Sequence, residues 1–185
     1  MLKQAISGFF KKLKSGSDAR RIANEIRIDS KKSIALLRRD NFKQAKDLFK
    51  HINNNFKEIN KVAKQEPGTI YEGFYSEAVE EYIEALTFYQ FLSKDKNEMP
   101  KYIKATPEHI IAGICDFTGE LVRKSVNLAK KENLKQLEKF HKTIDNIAEE
   151  LTRIGLRGKL RHKYDEVERN LRRMEQILYD IRLKR

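Results

Sequence analysis

The chain has almost none of the residues that build covalent or rigid scaffolds. It holds one cysteine, Cys115, so no intrachain disulfide forms, and its four histidines are scattered with no Cys/His zinc pattern. Tryptophan is absent, and 185 residues include three prolines and eight glycines. No run of about 18 apolar residues occurs, which excludes a membrane-spanning helix. The N-terminal stretch lacks the apolar core and small-residue cleavage site of a signal peptide. Long stretches alternating at period two are also missing, which removes the main signal for strands. Together these absences predict a reducing, cytoplasmic setting, no stable membrane association, and helices.

What fills the space is charge. Charged residues make up 36% of the chain, and 39 Lys+Arg against 27 Asp+Glu leave a formal net charge of +12. The polar remainder is dominated by Lys, Glu, Arg, Asn and Gln, a helix-forming mixture. The length supports one core, so we expect a single all-α domain over residues 1–185, a bundle of six to seven antiparallel helices. The cationic excess favours a polyanionic partner or an anionic surface.

Residues 2–14 place Leu2, Ile6, Phe9, Phe10 and Leu13 on one side and lysines on the other, a basic amphipathic extension over 1–16. Packing on a neighbouring helix or subunit is favoured over a membrane surface. Ser15-Gly16-Ser17-Asp18 reads as a helix break with Asp18 as N-cap. A strongly basic helix then runs to Arg39, carrying Arg20, Arg21, Arg27, Lys31, Lys32, Arg38 and Arg39. Asp40-Asn41 offers the next break and cap, and Gln65-Glu66-Pro67-Gly68 stops the helix that follows. Ser93 to Ala105 is irregular, and Thr106-Pro107-Glu108 combines a capping Thr, an early Pro and an acid at the positive end of the dipole. The last helix repeats Leu160, Tyr164, Val167, Leu171, Met174, Leu178 and Ile181, a seam fit for packing within the chain or between subunits.

Two helices carry carboxylates among apolar residues. Between Ile70 and Leu92 the polar stripe is Glu77, Glu80, Glu81, Glu84 and Thr87, spaced to stack on one side. Between Pro107 and Lys130, Asp116 and Glu120 form an i, i+4 pair in a strip that includes Gly113 and Gly119. Each helical glycine costs about 1 kcal/mol relative to alanine, which suggests close approach by a backbone or ligand. Oxygen-only donors suit a hard divalent ion such as Mg2+ or Mn2+. Taken alone, the first stripe is more often the solvated face of an ordinary amphipathic helix.

Several segments together resemble the translin/TRAX superfamily, and its TRAX branch in particular. EEYIEALTFYQFL at 80–92 resembles a TRAX helix of the form QEYVEA followed by aromatics, and HIIAGICDFTGELVR at 109–123 resembles YLLGVADLTGELMR. EIRIDSKKSIALLRR at 25–39 and LRHKYDEVERNLRRMEQILYDIRLK at 160–184 are similar to the family's early and C-terminal helices. The resemblance implies a translin-like helical protomer that assembles, usually as an octamer, into a hollow shell that binds or encloses single-stranded or structured RNA. It also implies a metal-dependent endoribonuclease whose catalytic carboxylates are Glu81, Glu84 and Asp116, with Glu120 completing the Mg2+ (or Mn2+) set. Lys31, Lys32, Arg38, Arg39 and Arg123 are the expected nucleic-acid contacts; Tyr82 and Tyr89 are read first as core residues and only second as base-stacking candidates. The long insert of eukaryotic TRAX between the acidic helices is missing, which resembles a compact prokaryotic, archaeal form. Eukaryotic TRAX requires translin, whereas the C-terminal seam here favours a homo-oligomer. The alternative is a non-catalytic, translin-like shell that binds single-stranded RNA or DNA.

Overall fold

The structure, a computed structural model, describes residues 1–94, 98–130 and 132–183. Part of the irregular 93–105 stretch, and the end of the segment at 160–184, therefore lie outside the described residues. All regular structure among the described residues is helical. The elements are α1 (Leu2–Arg38), α2 (Phe42–Gln65), a 3-10 turn (Pro67–Tyr71), α3 (Gly73–Ser93), α4 (Pro107–Lys130), α5 (Leu134–Thr152) and α6 (Gly158–Leu183). None of these helices is long and apolar enough to cross a membrane.

The expected break at 15–18 does not occur. Helix α1 runs unbroken for 37 residues, through Gly8 and Gly16, where an added Cβ would meet nothing within 4 Å. A glycine weakens a helix without ending it, and one open to solvent on all sides obstructs nothing. What changes near residue 18 is burial: Leu2, Phe9, Phe10 and Leu13 are exposed, whereas Ala19, Ile22, Ala23 and Ile26 are buried. Elsewhere the punctuation acts as expected. Asp40 adopts a left-handed conformation at φ 61°, ending α1. The Asn41 side chain then caps α2 by accepting from the Gln44 amide at 3.3 Å. Pro67 follows directly on α2, and the 3-10 turn it opens delays α3 to Gly73, three residues later than Ile70.

The chain forms two compact units, residues 1–109 and 110–185. In the first, α2 returns antiparallel along α1, as shown by the contacts of Asp29 with His51 and Glu25 with Asn55. Helix α3 runs parallel to α1, with Arg27 against Glu77 and Lys31 against Glu81. The shared core is aromatic. Phe56 meets Tyr82 at 5.2 Å and Tyr75 at 6.3 Å between ring centroids, and Phe49 meets Tyr89 at 5.3 Å, all edge to face. Such pairs add about 0.5–1.5 kcal/mol each beyond the area they bury.

The second unit repeats this arrangement with its own helices. Helices α5 and α6 are antiparallel, tied by Thr152 to Tyr164 at 2.9 Å and Arg182 to Glu138 at 3.0 Å. The C-terminal seam is used here: Tyr164, Val167, Met174, Leu178 and Ile181 are buried, as are Leu137, Phe140, Ile144 and Leu151 of α5. The seam thus packs within the chain and no longer argues for a subunit contact. Helix α6 runs parallel to α4, with Asn170 donating to Thr118 Oγ1 at 2.9 Å and Ser125 facing the Met174 sulfur.

Candidate functional site

The parallel register of α1 and α3 sets basic residues of one helix against acidic residues of the other. Arg27 Nη1 lies 3.0 Å from Glu77 Oε2, and four residues on, Lys31 Nζ lies 3.0 Å from Glu81 Oε1. Because positions four apart share a helix face, one parallel register satisfies both pairs. The Glu81 side chain is 21% exposed and that of Lys31 60%, so the acid sits at the wall of the unit and the cation reaches into water. Glu84, one turn further along α3, is half-buried. Glu80 departs from the expected polar stripe: it is buried, because its position falls on the side of α3 that faces the core.

The other expected nucleic-acid contacts on α1 point away from the core. Lys32 is exposed and approaches the buried Asp29 at 3.5 Å, Arg38 is half-buried and Arg39 is exposed. Of the two readings of Tyr82 and Tyr89, the structure supports the core one. Tyr82 and Tyr89 lie inside the aromatic core, only 1% and 7% exposed, because both share a face of α3 with Tyr75 and Phe88. Burial also pushes the Tyr82 phenol above its ordinary range. Neither offers a ring face for a base.

In the second unit, Lys163 of α6 donates to both carboxylate oxygens of Asp116 at 2.6 Å. The two side chains are 21% and 24% exposed, so this pair is partly desolvated. One helical turn along α4, Glu120 is buried, and its Oε1 accepts from Arg123 Nη1 at 2.9 Å. Arg123 itself is 66% exposed. The Lys163 contact was invisible in the sequence: Lys163 belongs to a basic run of Arg157, Lys159, Arg161, His162 and Lys163 at the start of α6, 47 residues from its partner. Beside Asp116, the Cys115 thiol is pushed up to about 12 by burial, with the Asp116 charge adding to the effect.

The glycine at 119 has a milder cause than close backbone approach. An added Cβ there would meet the Asn170 side-chain nitrogen at 3.6 Å, an ordinary contact.

Glu81, Glu84, Asp116 and Glu120 offer only carboxylate oxygens, the donor set that hard divalent cations prefer. Glu81, Asp116 and Glu120 each already answer a basic side chain. Among the described residues, neither unit by itself gathers three or more His, Cys, Asp or Glu side chains into a group that holds a metal. A hard divalent ion would suit these donors, and binding one at Glu81 or at Asp116 would require that acid to exchange the lysine it now contacts.

Comparison with known proteins places the fold among solved structures. An uncharacterized protein of Methanocaldococcus jannaschii is 28% identical over 146 residues, covering 77% of this chain. The chain spans 61% of that relative's length. Among solved structures, apo-NeC3PO superposes with a TM-score of 0.86 at 21% identity, covering 97% of this chain and 96% of that one. AfC3PO gives a TM-score of 0.86 at 20% identity, covering 100% and 99% of the two chains. AfC3PO in its complex with duplex RNA gives 0.83 at 20% identity, covering 100% and 98%. At such identities the likeness is one of fold. The sequence profile of the Translin family matches residues 18–185, nearly all of the chain beyond the exposed start of α1, and the protein belongs to that family.

Proposed function

We propose that this protein is an RNA-binding, Mg2+-dependent endoribonuclease of the TRAX type, hydrolysing phosphodiester bonds in single-stranded or structured RNA as a homo-oligomeric shell, most simply an octamer. The observation that carries the reading is that Glu81 and Asp116, two of the acids the resemblance singles out, each stand at a partly open helix wall with a lysine in contact. AfC3PO, which shares the fold, is known in complex with duplex RNA. A net charge of +12 supports the same class of partner.

In this reading Glu81, Glu84, Asp116 and Glu120 would hold Mg2+, which would supply Lewis-acid charge to the phosphodiester. The chain's own residues do the remainder. Lys31, Lys32, Arg38, Arg39 and Arg123 bind phosphates, releasing counterions and making affinity salt-sensitive. Lys31 and Arg123 have a double role: each neutralises an acid in the absence of ligand and turns to phosphate when RNA arrives. Lys163, less exposed than either, orients Asp116 and offsets its charge.

The ion pairs also favour a second reading, a translin-like binder in which the same acids only fix helix packing. Incubating the protein with end-labelled single-stranded RNA, with Mg2+ and then with EDTA, separates the two. Cleavage that EDTA stops, with binding retained, is the result expected of the nuclease. Binding without cleavage under both conditions is the result expected of the binder.

A further inference from the structure

The first unit contains a second feature that neither the acids nor the basic stripe of α1 uses. Between the C-terminal half of α2, the 3-10 turn and the segment around 100–105 lies a groove of about 540 Å3. Its floor is apolar, built from Ala63, Pro67, Ile70 and the Tyr102 ring. Around it stand Lys57, Lys61, Lys64 and Lys104, with no acidic residue in the lining. Among the described residues, Glu58 pairs with this set, its carboxylate taking Lys61 at 2.7 Å. Lys57 lies over the Tyr102 ring, 5.8 Å from its centroid.

The groove is held in shape before any ligand arrives. Asn60 donates to the Tyr102 carbonyl at 2.8 Å, and the Tyr75 hydroxyl accepts from the Lys104 amide at 3.1 Å. Ile103, between them, is buried. The irregular stretch after α3 is thus pinned at both residues that face the groove.

Four lysines around an apolar and aromatic floor ask for a ligand that is flat and apolar at one end and strongly anionic at the other. A simple apolar ligand would strand the charges. A bare phosphate would leave the floor wet. A polar rim on an apolar cavity of this size is the usual form of a small-ligand site, and stacking on a ring with phosphate held by lysine is how nucleotides satisfy such a surface. We propose that this groove binds a nucleoside phosphate, with the base on the floor at Tyr102 and Ile70 and the phosphate among Lys57, Lys61, Lys64 and Lys104. The same chemistry is offered by a free nucleotide and by the 5′-phosphorylated end of an RNA strand. The inference goes beyond the nuclease reading and requires neither carboxylates nor metal.

The test is equilibrium binding of 5′-AMP and of adenosine to the full chain in EDTA, by calorimetry. The expected result is saturable AMP binding, with adenosine weaker by about tenfold or more, since only AMP engages the lysines. Lys61→Glu/Lys64→Glu should weaken AMP by a similar factor, and Tyr102→Ala should weaken both ligands, each with unchanged helical circular dichroism. Lys135→Glu/Lys142→Glu, which alters the same charge on exposed positions of α5, should leave AMP binding as it was. Failure of AMP to bind, equal binding of adenosine, or equal loss in the α5 pair would overturn the proposal. Competition by 5′-phosphorylated but not 5′-hydroxyl tri-adenylate identifies the ligand as a strand end, whereas displacement by AMP alone identifies a free nucleotide. Because the assay contains EDTA, its failure leaves metal-dependent cleavage untouched, and the converse also holds.

Discussion

Lys31 Nζ lies 3.0 Å from Glu81 Oε1, across the parallel contact of α1 and α3. The lysine is 60% exposed and the glutamate 21%, so solvent screens the pair, and it contributes at most about 1 kcal/mol to folding. Lys31→Met should therefore lower stability only slightly. If Lys31 also turns to phosphate, the same substitution should reduce RNA affinity and make the slope of log K against log salt shallower by about 0.7–0.9. Titrations of labelled RNA at several salt concentrations, beside thermal melts, check both parts.

Tyr82 should behave as a core residue. Its ring packs on Phe56 at 5.2 Å and its hydroxyl makes only a long contact, 3.3 Å, to Asn53. Tyr82→Ala should cost about 3–5 kcal/mol, as large aromatic truncations do. Tyr82→Phe should cost about 1 kcal/mol or less and leave RNA affinity unchanged. Denaturant melts and filter binding of the two variants distinguish this from a base-stacking role, which would show as lost affinity in a folded protein.

Gly119→Ala should stabilise the chain. Position 119 is helical, and the new methyl would meet Asn170 at an ordinary 3.6 Å. With no clash to offset it, the reduced freedom of the unfolded chain is worth about 0.4–1 kcal/mol. A higher melting temperature is the expected outcome, and a lower one would mean that this helix needs the glycine for close approach.

Cys115 should be inert in the folded protein. Burial, aided by the Asp116 charge, raises its pKa from an ordinary 9.0 to about 12, so the reactive thiolate is suppressed at neutral pH. A raised pKa means the folded state holds the proton more tightly. The corresponding stability is present in full below pH 9 and is lost as pH rises towards 12. Ellman's reagent should label this thiol only after denaturation.

Much of this architecture is legible in the sequence because it is written in local chemistry. The apolar spacing of Ala45, Phe49, Ile52, Phe56 and Ile59 fixes α2 and its buried face, and the Asn41 cap and Pro67 fix its ends. The acidic positions at 81 and 116 are visible because they interrupt apolar helices. What escapes is set by tertiary register. Nothing local pairs Lys163 with Asp116 or aligns 27 with 77 and 31 with 81; those depend on parallel packing of helices separated in sequence. The break expected at Ser15 to Asp18 fails for a related reason, since a solvent-exposed glycine such as Gly16 is compatible with a helix that continues. The lysine-rimmed groove escaped because half of it comes from an irregular stretch whose order depends on Asn60 and Tyr75.

The carboxylates remain the centre of the account, and one comparison tests them most directly. Cleavage of end-labelled single-stranded RNA in Mg2+ should be measured for the wild-type chain and for Glu81→Ala/Glu84→Ala, with the assembly of both followed by size-exclusion chromatography. The double variant should keep its oligomeric state and lose Mg2+-dependent cleavage. Undiminished cleavage by an intact assembly would contradict it.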